Sequence, residues 1–162
     1  MKKYPLVILF AVILLFTGCA PQMQREKGQA DFSFPDTVSL PFSAVFGTVE
    51  TSGNIVYSDS QLEIEFSEPE TVSRLTVSVN KEKTEFSFNG LTVSKNNNPV
   101  LKKLNANTLF SVLENAKVST NIIKTDGGFL VSGDGYEIEF DSLCRIKKIT
   151  IPERKIEMVF EP

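Results

Sequence analysis

Residues 62–66 read Leu-Glu-Ile-Glu-Phe, and residues 136–140 read Tyr-Glu-Ile-Glu-Phe. In both stretches an apolar residue alternates with a glutamate, which is the period-two pattern of a strand with one buried face. The glutamates then lie on the face in contact with water. The same rhythm runs from residue 42 to residue 160 and predicts about nine strands, the first over residues 42–50 and ending at a turn at Ser52-Gly53-Asn54. Because the connections are mostly short, the sheet is predicted to be antiparallel.

The period lengthens in the middle of the chain. One apolar stripe has the spacing i, i+3, i+4 and i+7 of a helix face, and it consists of Leu109, Val112, Leu113 and Ala116. This spacing predicts a helix over residues 105–117. One helix among many antiparallel strands indicates an α+β fold, with the helix covering one face of the sheet in a single domain of residues 41–162.

The N-terminus has the three parts of a secretory signal. Two lysines, Lys2 and Lys3, precede eleven apolar residues (6–16), and small residues follow. At 1.5 Å a residue, this run covers only about half of a ~30 Å hydrocarbon core. Residues 1–18 are therefore predicted to be a removable signal peptide rather than a permanent membrane-spanning helix.

The end of this signal, Phe16-Thr17-Gly18-Cys19, resembles the lipobox of bacterial lipoproteins, with Phe16 where that motif has Leu or another aliphatic residue. The resemblance implies cleavage before Cys19 and a lipid on that cysteine. Residues 19–40 would then be the lipidated cysteine and a tether. The protein would be exported and anchored to a bacterial membrane, with its domain on the extracytoplasmic side. The alternative is that Cys19 is an ordinary cysteine after a plain secretory signal. With Cys19 lipidated, Cys144 is the only thiol left, and it is expected to be small and partly buried.

Composition disfavours several classes of function. The chain has no histidine, the commonest general base and metal ligand, so Ser-His-Asp, Cys-His and His-rich metal sites are excluded. Its net charge of −3, without a basic block, argues against nucleic acid as a partner. The pair Glu63 and Glu65 could suggest a hydrolase. The alternation of apolar residues and glutamates, however, assigns both to the solvent-exposed face of a strand. We therefore predict a protein that is not an enzyme and that holds no cofactor or metal.

One part of the chain is similar to the lipoprotein-carrier superfamily, which includes the periplasmic and outer-membrane lipoprotein-localisation factors. The similarity lies in the strand at 62–66 with Pro69 after it, the strand at 75–79, and the strand at 86–90 that closes in glycine. It implies a strongly curved antiparallel half-barrel with helical cover across its open side. It further implies an apolar cavity for acyl chains. No functional residue of the family is carried over to this chain.

The chain has 13 phenylalanines and no tryptophan. Aromatic rings pack well on pleated sheets, so these rings either fill the core or line an incompletely filled concave face. The second interpretation predicts a non-catalytic binding module for a lipid, an acyl chain or a lipidated client. The first predicts a structural lipoprotein with a filled core that contacts another envelope protein. The candidate ligand face comprises Phe46, Phe66, Phe86, Phe88, Leu109, Val112 and Leu113.

Overall fold

The computed structural model describes residues 31–94 and 105–161. The predicted signal peptide and Cys19 lie outside these residues. The described part contains eleven strands and one α-helix, so the prediction of about nine strands is wrong while the α+β class is confirmed. The elements are β1 (Thr37–Phe46), β2 (Val49–Ser58), β3 (Gln61–Glu68), β4 (Leu75–Val79), β5 (Thr84–Phe88), β6 (Leu91–Ser94), α1 (Ala106–Lys117), β7 (Ile122–Thr125), β8 (Gly128–Gly133), β9 (Tyr136–Asp141), β10 (Ile146–Ile151) and β11 (Ile156–Phe160).

All the strands belong to one antiparallel sheet with the order β6-β5-β4-β3-β2-β1-β11-β10-β9-β8-β7. Strands β1 to β6 pair in chain order, as do strands β7 to β11, and β1 pairs with β11 to join the two halves of the sheet. The register there sets Phe42 opposite Phe160 and Phe46 opposite Ile156. Strands β6 and β7 are the two edges, so the sheet is not closed into a barrel.

The sheet curves around α1. This helix has 12 residues and contacts β3, β4 and β8. Strands β4 and β8 are seven positions apart in the sheet, which is about 34 Å in a flat sheet at ~4.8 Å a strand. A helix about 18 Å long cannot reach both arms of a flat sheet. The sheet therefore wraps around the helix, and the predicted half-barrel-like shape is confirmed.

The side chains on the concave side of the sheet form one continuous core with α1. In β3 and β9 the apolar residues are buried and the glutamates exposed, as the alternation predicts. Phe32 and Phe34, which precede β1, also pack against this core. Within the described ranges no helix has the length and hydropathy needed to cross a membrane.

Two local predictions at the start of the sheet are wrong. The chain turns at Gly47 and Thr48, where Gly47 has a φ of +69°, so the first strand does not continue to residue 50. Residues 52–54 lie inside β2 rather than in a turn. In addition, β1 begins at Thr37, so residues 37–40, which the sequence assigned to the tether, belong to the sheet.

Candidate ligand-binding site

The seven residues of the predicted ligand face divide into two groups. Phe66 on β3 is 3% exposed, and the three helix residues are between 0% and 5% exposed. These side chains fill the concave face, because α1 presses its apolar stripe onto the sheet. The three helix residues are Leu109, Val112 and Leu113.

The other three residues of that face remain at least partly open. Phe46 and Phe86 are half-buried, and Phe88 is 42% exposed. Phe46 lies on β1, in the middle of the sheet, and packs partly against the core. Phe86 and Phe88 lie on β5, next to the edge strand. The structure therefore does not bring all seven residues together into one open face.

Phe86 and Phe88 belong to a larger group of apolar side chains on the concave side of β4, β5 and β6. The register pairs Phe86 with Val93, and Phe88 with both Leu91 and Leu75, so all of these residues share one face. Leu91 is 75% exposed and Val93 is 53% exposed. We call this group the apolar strip, and it consists of Leu75, Phe86, Phe88, Leu91 and Val93.

The helix leaves the strip open because its N-terminal end lies over the opposite end of β5. The Thr84 hydroxyl donates a hydrogen bond of 2.8 Å to the Asn107 side chain. Thr84 begins β5 and Phe88 ends it, four residues or about 14 Å further along the strand. The strip therefore extends beyond the cover that α1 provides.

A second polar contact fixes the helix on the sheet. Tyr57 on β2 is fully buried, and its hydroxyl donates a 2.5 Å hydrogen bond to Glu114 on α1. Lys81 lies 3.3 Å from the other oxygen of Glu114. Burial raises the pKa of Tyr57 well above its ordinary value, whereas the hydrogen bond from Tyr57 lowers the pKa of Glu114. This cluster is a structural clamp, since its groups satisfy one another.

The other groups that the sequence singled out lie outside the apolar strip. Glu63 and Glu65 are exposed on the outer face of β3. Cys144 is half-buried in the turn after β9 and packs against the core, as the sequence predicted. Among the described residues there is no group of three side chains that could hold a metal ion.

The sequence did not identify Leu91 or Val93. Both follow Asn89-Gly90, a strong hairpin dipeptide, and they alternate with Thr92 and Ser94. A short strand after that turn could have been predicted from this alternation. The exposure of this strand could not have been predicted, because it depends on how far α1 extends over the sheet.

No protein-family model matches the chain, and no curated protein matches it in sequence.

Proposed function

We propose that the protein is an exported, lipid-anchored bacterial envelope protein that binds a hydrophobic ligand or a lipidated client without catalysis. The observation that carries this proposal is the apolar strip. It is contiguous and open to solvent, and it lies beyond the part of the concave face that α1 covers. Contiguous exposed apolar surface of this kind is typical of ligand and protein contacts.

The strip suits an acyl chain in both chemistry and energy. No charged side chain belongs to it, and its two aromatic rings, Phe86 and Phe88, offer wide apolar surfaces. Each methylene of an acyl chain that leaves water contributes about 0.8 kcal/mol. Complete burial of a twelve-carbon chain would contribute about 10 kcal/mol. The open strip buries such a chain only in part, so after the cost of immobilising the chain its Kd is no tighter than the micromolar range, about −8 kcal/mol.

A fluorescent fatty-acid probe tests the strip. We expect a fragment of residues 31–162 to bind the probe saturably at micromolar concentrations. The double variant Phe88→Ser/Leu91→Ser should weaken binding at least tenfold, because it removes the two most prominent contacts. Leu143→Ser is the matched control, since Leu143 is 72% exposed in the turn after β9, a strand seven positions from β5 in the sheet. Circular dichroism checks that each variant is folded.

A folded fragment that shows no saturable binding would favour the second function, an interaction lipoprotein that contacts another envelope protein. The observation that favours this alternative is the filled interior. Four of the seven residues of the predicted ligand face are buried in the core. Equal weakening by Leu143→Ser would mean that the probe binds any exposed apolar side chain.

The anchor is tested separately at Cys19. The lipobox-like Phe16-Thr17-Gly18-Cys19 motivates the expectation that Cys19→Ala receives no lipid and leaves the membrane fraction, as soluble or unprocessed protein. Intact-mass analysis of the native membrane form is the measurement. An unmodified Cys19 in that form would contradict the lipoprotein assignment, whatever the strip binds.

A further inference from the structure

A second surface lies on the outer face of the sheet, opposite the concave face that carries the apolar strip. It is an open groove of about 620 Å³, within the usual range of about 300–1,000 Å³ for ligand sites. The groove runs over β11, β1 and β2, and the turn after β3 forms one of its walls. We call it the outer groove, and its lining includes Ser43, Val45, Glu50, Ser52, Glu68, Pro69, Glu70, Glu157 and Val159.

The wall exists because the end of β3 is held against β2. The ladder between these strands shifts register between Ser52 and Gly53, so that Ser52 pairs with Glu68. The Thr51 hydroxyl donates a 2.5 Å hydrogen bond to the Glu68 carbonyl, and the Ser52 hydroxyl donates a 3.1 Å hydrogen bond to the Glu68 carboxylate. These contacts fix residues 68–70 beside the groove.

The floor of the outer groove is apolar although it faces outward. Val45 is 39% exposed and Val159 is 46% exposed. They lie on neighbouring strands, because Val159 pairs with Ser43 and Val45 pairs with Glu157. Pro69 adds apolar surface from the wall. The floor can therefore accept aliphatic groups rather than only hydrated ions.

The rim of the outer groove carries four carboxylates, those of Glu50, Glu68, Glu70 and Glu157. Of these four, only Glu157 forms an ion pair with another described residue, Lys148, at 2.8 Å. The carboxylates come from three strands and a turn, and no three of them are close enough to hold a metal ion. Their negative charge is thus spread along the length of the groove.

We infer that the outer groove binds an extended basic peptide segment of a partner protein, with Lys or Arg at every second position so that these side chains all face the groove. The stems of Lys and Arg side chains are aliphatic and their heads are cationic, so the stems fit the floor while the heads reach the rim. Glu157 and Glu50 both pair with Val45, so they lie two strands apart, about 10 Å, and separate positive charges of one extended chain can meet them. This inference goes beyond the proposed function, since the outer groove and the apolar strip share no residue.

The test is fluorescence anisotropy with the full chain in a non-ionic detergent and a labelled peptide of sequence Lys-Val-Lys-Val-Lys. We expect saturable binding, and no binding of the charge-reversed peptide Glu-Val-Glu-Val-Glu. The double variant Glu50→Gln/Glu70→Gln should weaken binding about tenfold, as expected for the loss of two rim charges. Val159→Ser should also weaken binding, although it changes no charge.

The matched control is Glu63→Gln/Glu137→Gln, which removes the same charge from exposed positions on the outer face that do not line the groove. It should change the Kd less than twofold. Equal weakening by both double variants would overturn the inference, because the peptide would then respond only to the net charge of an acidic protein. Absence of saturable binding, or an unchanged Kd for Val159→Ser, would also overturn it.

Discussion

Among the described residues, Tyr57 and Glu114 form the one hydrogen bond in which the hydroxyl of a fully buried tyrosine donates to a carboxylate. The two residues are 57 positions apart in the chain, and the hydrogen bond fastens α1 to β2. Hydrogen bonds to charged groups stabilise proteins by about 1.5–3 kcal/mol. The sequence could not indicate this pair, because neither residue belongs to a motif.

We predict that Tyr57→Phe lowers the free energy of unfolding by about 2 kcal/mol at pH 7. The pKa of Glu114 in the folded protein lies below its ordinary value of 4.5. The stability that this carboxylate contributes is therefore fully present above pH 4.5 and is lost as the pH falls through its lowered pKa. The difference between the wild type and Tyr57→Phe should narrow below pH 4.5. Urea unfolding at pH 7 and at lower pH measures it.

The control for this prediction is Tyr136→Phe. Tyr136 is buried to a similar degree, at 6% exposure, but the described part of the chain shows no hydrogen bond to its hydroxyl. Loss of the Tyr136 hydroxyl should lower the free energy of unfolding only slightly. This small difference from the wild type should stay the same below pH 4.5. A constant difference for Tyr57→Phe across this pH range would show that Glu114 is not the group responsible.

At the scale of elements, the sequence predicted best what depends on neighbouring residues. The helix of residues 105–117 is found as α1, because its apolar stripe is a local pattern. The faces of β3 and β9 follow from alternation in the same way. The prediction of a turn at Ser52-Gly53-Asn54 was wrong because a glycine can indicate either a turn or a close approach of two backbones.

Gly53 is a case of close backbone approach. A Cβ atom at this position would clash with the carbonyl oxygen of Glu65 on β3. We predict that Gly53→Ala lowers the free energy of unfolding by about 2–3 kcal/mol, since neither backbone can move without breaking the ladder. Gly127→Ala is the control, because a Cβ there would meet no atom within 4 Å. Chemical denaturation measures the free energy of unfolding of both variants. Equal values would mean that β2 and β3 can move apart at the register shift without loss of stability.

At the scale of the whole molecule, the features that decide function are non-local. The pairing of β1 with β11, the curvature of the sheet and the reach of α1 all join residues far apart in the chain. The sequence predicted an apolar concave face, but it could not say which part α1 would fill. It therefore assigned Leu109 and Leu113 to the ligand face, where they are core residues. It also missed the outer groove, which depends on a register shift.

The segment before β1 connects the two arms of the sheet. The ring of Phe32 packs edge to face against Phe129 on β8 and Phe140 on β9, with centroids 5.4 Å and 4.9 Å apart. The ring of Phe34 packs against Tyr57 on β2 at 6.1 Å and against Phe140 at 5.9 Å. The segment thus covers part of the concave face beside α1, so the folded domain begins before residue 37.

These contacts predict that Phe32→Ala/Phe34→Ala destabilises the whole domain rather than only its N-terminus. Both rings are half-buried, so the double variant should lose about 3 kcal/mol, less than the ~3–5 kcal/mol for each fully buried phenylalanine. Because the rings bridge both arms, the loss should appear equally in the unfolding of the sheet and of the helix, followed by circular dichroism in urea. Phe88→Ala is the control, since Phe88 is 42% exposed and makes no ring contact with another described aromatic residue, and its loss should cost under about 1 kcal/mol. If the double variant is as stable as Phe88→Ala, the aromatic contacts of the segment contribute nothing to joining the arms, which are then held by α1 and by the pairing of β1 with β11.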